Sequence, residues 1–197
     1  VIAYILLFMM VISFLGIETT SFIAAFGSAG LAVGMALQGS LANFAGGVLI
    51  LGLKPFGVGD YIVTGTDEGT VSEISLFSTK LLTLDNRAVI IPNGTLANST
   101  VTNVTTEDYR KLDLKVGIGY QSDLKLAKSI LQRLLDEEEA VLKDRPVQVF
   151  VDELGDSAVV LGMRSWVKTE DYWNTRWDLN ERIKLSFDEA GIEIPYN

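Results

Sequence analysis

Charge is almost absent from the first 53 residues. A run of neutral and apolar residues, VIAYILLFMMVISFLGI, leads to a short polar break at Glu18-Thr19-Thr20, and a second uncharged run extends from Ser21 to Leu53. Seventeen helical residues reach roughly 26 Å, close to a hydrocarbon core of about 30 Å, so residues 1–17 read as the end of a transmembrane helix. The stretch lacks a basic leading region and a cleavage site, which separates it from a secretory signal. The chain opens on Val, and it is read as a portion of something longer.

Residues 21–38, SFIAAFGSAGLAVGMALQ, are dense in Gly and Ala. At 100° per residue, Gly27, Gly30 and Gly34 fall on one flank of a helix, and Ala25, Ala32 and Ala36 fall on the opposite flank with Ala29 close by. Between the flanks lies a face of Thr20, Ala24, Ser28, Leu31, Met35 and Gln38; Phe22, Phe26, Val33 and Leu37 make the face opposite. In lipid, helices associate by close packing of small residues. Two different flanks on one helix make a head-to-tail contact, and repeated rotation closes such contacts into a ring. The face carrying Leu31 and Met35 then points to the ring axis. A buried Gly/Ala helix of a transporter and a simple helix-dimerisation signal are the alternatives. Gln38-Gly39-Ser40 is expected to bend the helix, because sharp bends concentrate at Gly/Ser pairs, and residues 41–53 to resume as a shorter helix with Gly47 as a second soft point. Lys54-Pro55 ends this half, since Pro disfavours helical geometry in the residue before it.

Beyond Pro55 the periodicity changes. Residues 60–63 and 88–91 read as short strands, and residues 70–84 as an alternating segment with a break inside it. Asp85-Asn86-Arg87 reads as a hairpin turn, Pro92-Asn93-Gly94 as a further turn, and residues 96–105 as a last extended segment. About five short strands in this span predict a small barrel-like sheet. Residues 111–196 then read β-α-β-β-α-β, the ferredoxin-like order. The elements are a strand over 112–120, a helix capped by Ser122 over 123–142, strands over 147–151 and 157–167, a helix over 172–190 and a final strand over 192–195. Trp173, Trp177, Ile183 and Phe187 are the expected core contacts of the second helix, and Gly191 its C-terminal glycine. The fold class is therefore a membrane α-helical segment followed by α+β domains. The expected divisions are 1–17, 18–53, 54–106 and 107–197.

Composition sharpens this division. Of the 16 Lys+Arg and 25 Asp+Glu residues, Glu18 alone precedes Lys54, and the remainder of the chain carries 16 − 24 = −8. An overall charge of −9 argues against a nucleic-acid binder. There is no Cys and no His, which removes thiol nucleophiles and the commonest general base and zinc ligand. No metal and no cofactor is expected, and an enzyme is a poor reading. Gly57-x-Gly59 lacks the third glycine of a dinucleotide loop, and the sequons at Asn93, Asn98 and Asn103 sit in a Thr-rich strand region where chance explains them.

The segment GLAVGMALQGSLANFAGGVL (residues 30–49) closely resembles the pore helix of the bacterial small-conductance mechanosensitive channel family, KPFGVGDYI (54–62) resembles that family's approach to its β domain, and IPNG (91–94) its β-domain turn. The resemblance implies a homoheptamer with three transmembrane helices per subunit, a kinked third helix lining the pore, an Sm-like β domain and a cytoplasmic α/β cage. It implies a multi-pass protein of the bacterial inner membrane, opened by membrane tension to release ions and small osmolytes in hypo-osmotic shock, with lipids and its own copies as partners. The family's pore-constricting leucine positions fall on Leu31 and Met35, and its helix-bending glycines on Gly39 and Gly47. Met35 stands where Leu is usual, and Ser28 where Ala is usual. Glu18 falls at the outer mouth. A transporter or a membrane-anchored ligand-binding regulatory protein is the competing function.

Overall fold

A computed structural model describes residues 2–16 and 18–196; Val1 and Ile17 of the first apolar run, and Asn197, lie outside the described residues. The chain forms two compact units, Val1–Val104 and Thr105–Asn197.

The first unit begins with α1 (Ile2–Phe14) and α2 (Thr20–Leu53). Helix α1 has 13 residues, about 20 Å of rise, shorter than the segment read from the sequence. The chain turns after it through Gly16, whose φ of 76° suits a residue without Cβ. Helix α2 is the one helix among the described residues long and apolar enough to cross a membrane. Its helical assignment runs without a break through Gln38, Gly39 and Ser40. The expected pair of helices is thus a single helix of 34 residues. One glycine removes no backbone N–H, so the hydrogen-bond ladder survives it; only a bend in direction remains open to Gly39. The helix stops at Lys54, which takes the left-handed conformation (φ 49°, ψ 54°) while its N–H still donates to the Ile50 carbonyl at 2.9 Å.

An antiparallel sheet follows: β1 (Tyr61–Thr64), β2 (Asp67–Ile74), β3 (Ser78–Leu82), β4 (Ala88–Pro92) and β5 (Thr102–Asn103), in the order β4-β3-β2-β1-β5. Strands β4 and β5 are its two edges, so strand pairing within the chain does not close the expected barrel. The break predicted inside residues 70–84 is the tight turn at Ser75-Leu76-Phe77, closed by the Ser75 N–H on the Ser78 carbonyl at 2.9 Å, with a bulge between Val71 and Glu73 ahead of it. Two expectations are corrected here. Pro92 caps a short helix, α3 (Asn93–Ala97), in place of the predicted turn, and the extended segment shrinks to the two residues of β5. The pyrrolidine ring presets φ at the helix start, and the Asn93 N–H donates to the Phe77 carbonyl at 2.9 Å, which commits the chain to a bend there. Ile62, Val71, Leu81, Ile91 and Leu96 form the core with Phe56 and with Ile50 of α2.

The second unit holds β6 (Tyr109–Ile118), α4 (Leu124–Glu137), β7 (Gln148–Leu154), β8 (Val159–Lys168), a 3-10 turn and α5 (Tyr172–Glu189). The sheet order is β6-β8-β7, all antiparallel. Leu112, Leu114, Leu161 and Met163 of the sheet pack with Leu131, Leu135, Leu179, Ile183 and Phe187 of the helices. Asp123, not Ser122, caps α4, accepting from the Lys125 and Leu126 N–H groups at 2.9 and 3.0 Å. Ser122 is engaged elsewhere, its hydroxyl accepting from the Glu193 N–H at 3.3 Å. Helix α4 also ends five residues early, where Glu137-Glu138-Glu139 would crowd negative charge on the negative end of the helix dipole. Lys143 Nζ covers its last carbonyls at Leu135 (2.5 Å) and Glu138 (3.0 Å).

Trp173 and Trp177 are not core residues; they are 53% and 61% exposed. The buried stripe of α5 is Thr175, Leu179, Ile183 and Phe187. The tryptophans stand two residues, about 200°, from that stripe and stack on each other at 5.9 Å instead. The final strand expected at 192–195 is absent; a single bond from the Gly119 N–H to the Glu193 carbonyl (2.9 Å) marks its place, and Pro195 offers no N–H to extend the ladder. Gly191 does end α5 (φ 69°), with the Ile192 N–H reaching back to the Phe187 carbonyl at 2.9 Å.

Candidate functional site

Helix α2 rises about 51 Å, well beyond a hydrocarbon core of about 30 Å. Its two ends have opposite surroundings. Every residue from Thr20 to Ala42 is exposed. Gly27, Gly30, Gly34 and Gly39 have no atom within 4 Å of the place where a Cβ would stand. Ala25, Ala32 and Ala36 are equally open, and Leu31 and Met35 are each 67% exposed. The two small-residue flanks and the face between them therefore have no packing partner among the described residues. Gln38 is exposed at the lower end of that face, and Glu18 is exposed just ahead of the helix, with no ion pair among the described residues. The first polar side-chain contact on the helix is local: the Ser28 hydroxyl donates to the Ala25 carbonyl at 2.9 Å.

The last third of α2 is seated on the sheet. Gly46 and Gly47 are buried. A Cβ on Gly47 would lie 2.1 Å from the Leu76 carbonyl oxygen and 2.7 Å from Asn93 Nδ2; on Gly46 it would lie 2.5 Å from the Asn93 carbonyl oxygen. Gly47 is thus the site of a close backbone approach, where the sequence suggests a soft point. One turn earlier, Asn43 Oδ1 accepts from the Gly94 N–H at 3.0 Å, and Phe44 meets Phe77 with ring centroids 6.1 Å apart. One turn later, Ile50 enters the core.

Asn93 holds this seat together. It is fully buried, accepts from the Thr79 hydroxyl at 2.8 Å and donates through Nδ2 to the Ser75 carbonyl at 2.8 Å. Those bonds fix both ends of the 75–78 turn, and so the Leu76 carbonyl that rests on Gly47. A buried amide is tolerable only when its groups are paired, and here the pairing sets the shape of the socket. Sequence reading missed Asn43, Leu76, Thr79 and Asn93 as parts of one arrangement. The available signal was the pair Gly46-Gly47, a demand for space whose claimant lies 29 to 47 residues away.

Below the seat, Asp60 Oδ2 accepts from the Gly57 N–H and from Asn103 Nδ2, both at 2.8 Å, which ties β5 to the turn after the helix. Burial, and next the Glu68 carboxylate beside it, push the Tyr61 phenol above its usual range. In the second unit the Asp152 carboxylate, bonded to Lys115 Nζ at 2.6 Å, raises that ammonium's pKa. No group of three acidic side chains that could hold a metal ion occurs among the described residues.

Comparison with known proteins covers nearly the whole length. Residues 1–38 match the family model for transmembrane helices 2/3 of mechanosensitive ion channels, residues 39–106 the model for their beta-domain, and residues 112–194 the MscS C-terminal model. The small-conductance mechanosensitive channel of Helicobacter pylori is 36% identical over 187 residues, covering 94% of this chain and 68% of that protein. This chain belongs to the MscS family. An uncharacterized MscS family protein of Synechocystis is 40% identical over 189 residues, 96% of this chain and 64% of that relative, so the chain spans about two thirds of such relatives' length. The closed-state crystal structure of Helicobacter pylori MscS superposes with a TM-score of 0.87 at 36% identity, covering 96% of this chain and 75% of that one. Arabidopsis thaliana MSL1, at 21% identity and a TM-score of 0.79, has the same MscS fold.

Proposed function

We propose that this chain is the pore-forming portion of a tension-gated channel, in which α2 lines the pore and copies of the chain form a ring. The observation that carries this reading is the contrast along α2: one helix fixed to a sheet at residues 42–50 and, among the described residues, without a packing partner over residues 20–41. In lipid such a helix gains nothing from burying its apolar surface as such, but gains dispersion energy where small residues allow backbones to approach. The Gly27, Gly30 and Gly34 flank of one copy receives the Ala25, Ala32 and Ala36 flank of the next. The family relationship favours seven copies, in a bacterial inner membrane, with the sheet-bearing part (54–106) and the α/β part (107–197) in the cytoplasm.

Leu31 and Met35 then ring the axis. Water confined between apolar rings loses hydrogen bonds it cannot replace, so the throat empties and blocks ions without closing sterically. Tension favours the state of larger in-plane area. Tilting the upper helix about Gly39, while the seat holds its lower end, widens the ring, wets it and releases ions and small osmolytes, as hypo-osmotic shock would require. Glu18, repeated around the outer mouth, supplies carboxylates that favour cations there.

The test is patch-clamp recording of the full-length protein in liposomes under suction. Leu31→Ser and Met35→Ser should each lower the suction needed for opening and leak at rest, while Met35→Leu should match the wild type or need more suction. Wild-type thresholds without leak in both serine variants would place the constriction elsewhere.

A further inference from the structure

We infer that Ser28 is the upper wetting boundary of the dry stretch, a ring of hydroxyls that shortens the seal; this rests on the pore face proposed above. On that face the polar positions are Thr20, Ser28 and Gln38, and the residues between them are Ala24, Leu31 and Met35. From Ser28 to Gln38 is ten residues, roughly 15 Å of helix; from Thr20 to Gln38 is eighteen, roughly 27 Å. Ser28 thus cuts the apolar length of the passage nearly in half.

The bond at Ser28 makes the hydroxyl suited to this position. Its proton is donated to the Ala25 carbonyl at 2.9 Å, one turn back on the same helix. The donor is satisfied whether or not water is present, so the group does not pay the full penalty of an unpartnered hydroxyl when the passage is dry. Its oxygen keeps acceptor capacity, and water entering from above finds a partner there. A hydroxyl anchored to its own helix also needs nothing from a neighbouring copy, and so it holds the same place as the helices tilt. Water can therefore stand as far down as Ser28 in the closed state and needs only to cross the Leu31 and Met35 rings. An apolar passage is emptier the longer it is, because each added turn withdraws further hydrogen bonds from the water inside it.

Removing the hydroxyl should lengthen the dry passage up to Thr20. In the full-length protein in liposomes, Ser28→Ala should shift the activation curve to higher suction with open-state conductance unchanged, and Ser28→Thr, which restores a back-bonding hydroxyl, should overlay the wild type. Leu31→Ser in the same series tests the pore face separately. If Leu31→Ser opens at lower suction while Ser28→Ala overlays the wild type, the pore face stands and the role of Ser28 is overturned. A shift in Ser28→Thr equal to that in Ser28→Ala overturns it too, since packing and not the hydroxyl would be responsible. If Leu31→Ser leaves the threshold unchanged, the pore face fails and this inference with it.

Discussion

Gly34 and Gly47 sit thirteen residues apart on one helix and have opposite environments. A methyl group on Gly34 would meet nothing within 4 Å; on Gly47 it would meet a backbone oxygen at 2.1 Å. Neither residue carries a side chain, but among the described residues only Gly47 of the two meets a group that needs the space. Gly34 has no such neighbour among the described residues; in the ring proposed above, its neighbour is the next copy. The difference divides α2 into a part seated on the sheet of its own chain and a part with no packing contact among the described residues.

The largest expected effect tests that division with one substitution at each site. Gly47→Val should cost about 3 kcal/mol or more, because the Leu76 carbonyl is backbone and cannot swing aside, and overpacking of this kind is costly. Thermal unfolding of the detergent-solubilised protein should show a much lower midpoint. Gly34→Val should leave that midpoint near the wild-type value and instead reduce the ring population measured by light scattering or native mass spectrometry. Equal losses of stability at both positions would erase the distinction.

A smaller effect is expected one step removed from the glycine. Asn93→Ala strands the Thr79 hydroxyl and the Ser75 carbonyl, at about 1–3 kcal/mol for the buried groups left unpaired. The 75–78 turn should loosen, and amide exchange at Phe77 and Ser78 should accelerate while amides of residues 25–36 keep the wild-type rate. Acceleration at both ends of α2 would mean that the seat and the open stretch are not separate.

The smallest effect lies at the exposed hairpin between β3 and β4. There the Thr83 hydroxyl at 2.5 Å, and next Arg87 Nε at 2.7 Å, hold the Asp85 carboxyl below its usual pKa. A folded-state pKa lowered in this way contributes stability that is present above the unfolded value and is lost as pH falls through the folded one. Full exposure makes that contribution slight. An NMR titration should give Asp85 a midpoint below the ordinary carboxylate range, and Arg87→Ala should raise it. Melting midpoints of the helix–sheet unit should hardly move across that pH window.

Local patterns were legible wherever the determining contacts were close in sequence. The uncharged run to Leu53, the short strands at 60–63 and 88–91, the helix begun at 123, and the glycine that ends α5 all read directly from residue order, because helix and strand periodicities are properties of the backbone. The small-residue flanks of α2 were equally plain, since angular position on a helix needs only residue number. Errors arose where two local options were close in energy and a distant group decided between them. Ser122 and Asp123 are both good caps, and the Glu193 N–H engaged the serine. Ile-Pro-Asn-Gly suits a turn or a helix start, and the Phe77 carbonyl drew the Asn93 N–H into a helix start. Trp173 and Trp177 are apolar enough for a core, but the sheet beneath α5 had room for the stripe of Leu179, Ile183 and Phe187 instead. The meaning of Gly46-Gly47 was decided in the same way. Sequence alone determined that this chain has a long apolar, helical stretch with two small flanks followed by α+β domains. Only the tertiary structure decided which glycines were already occupied, because a close approach between backbones leaves no trace in the periodicity of either segment.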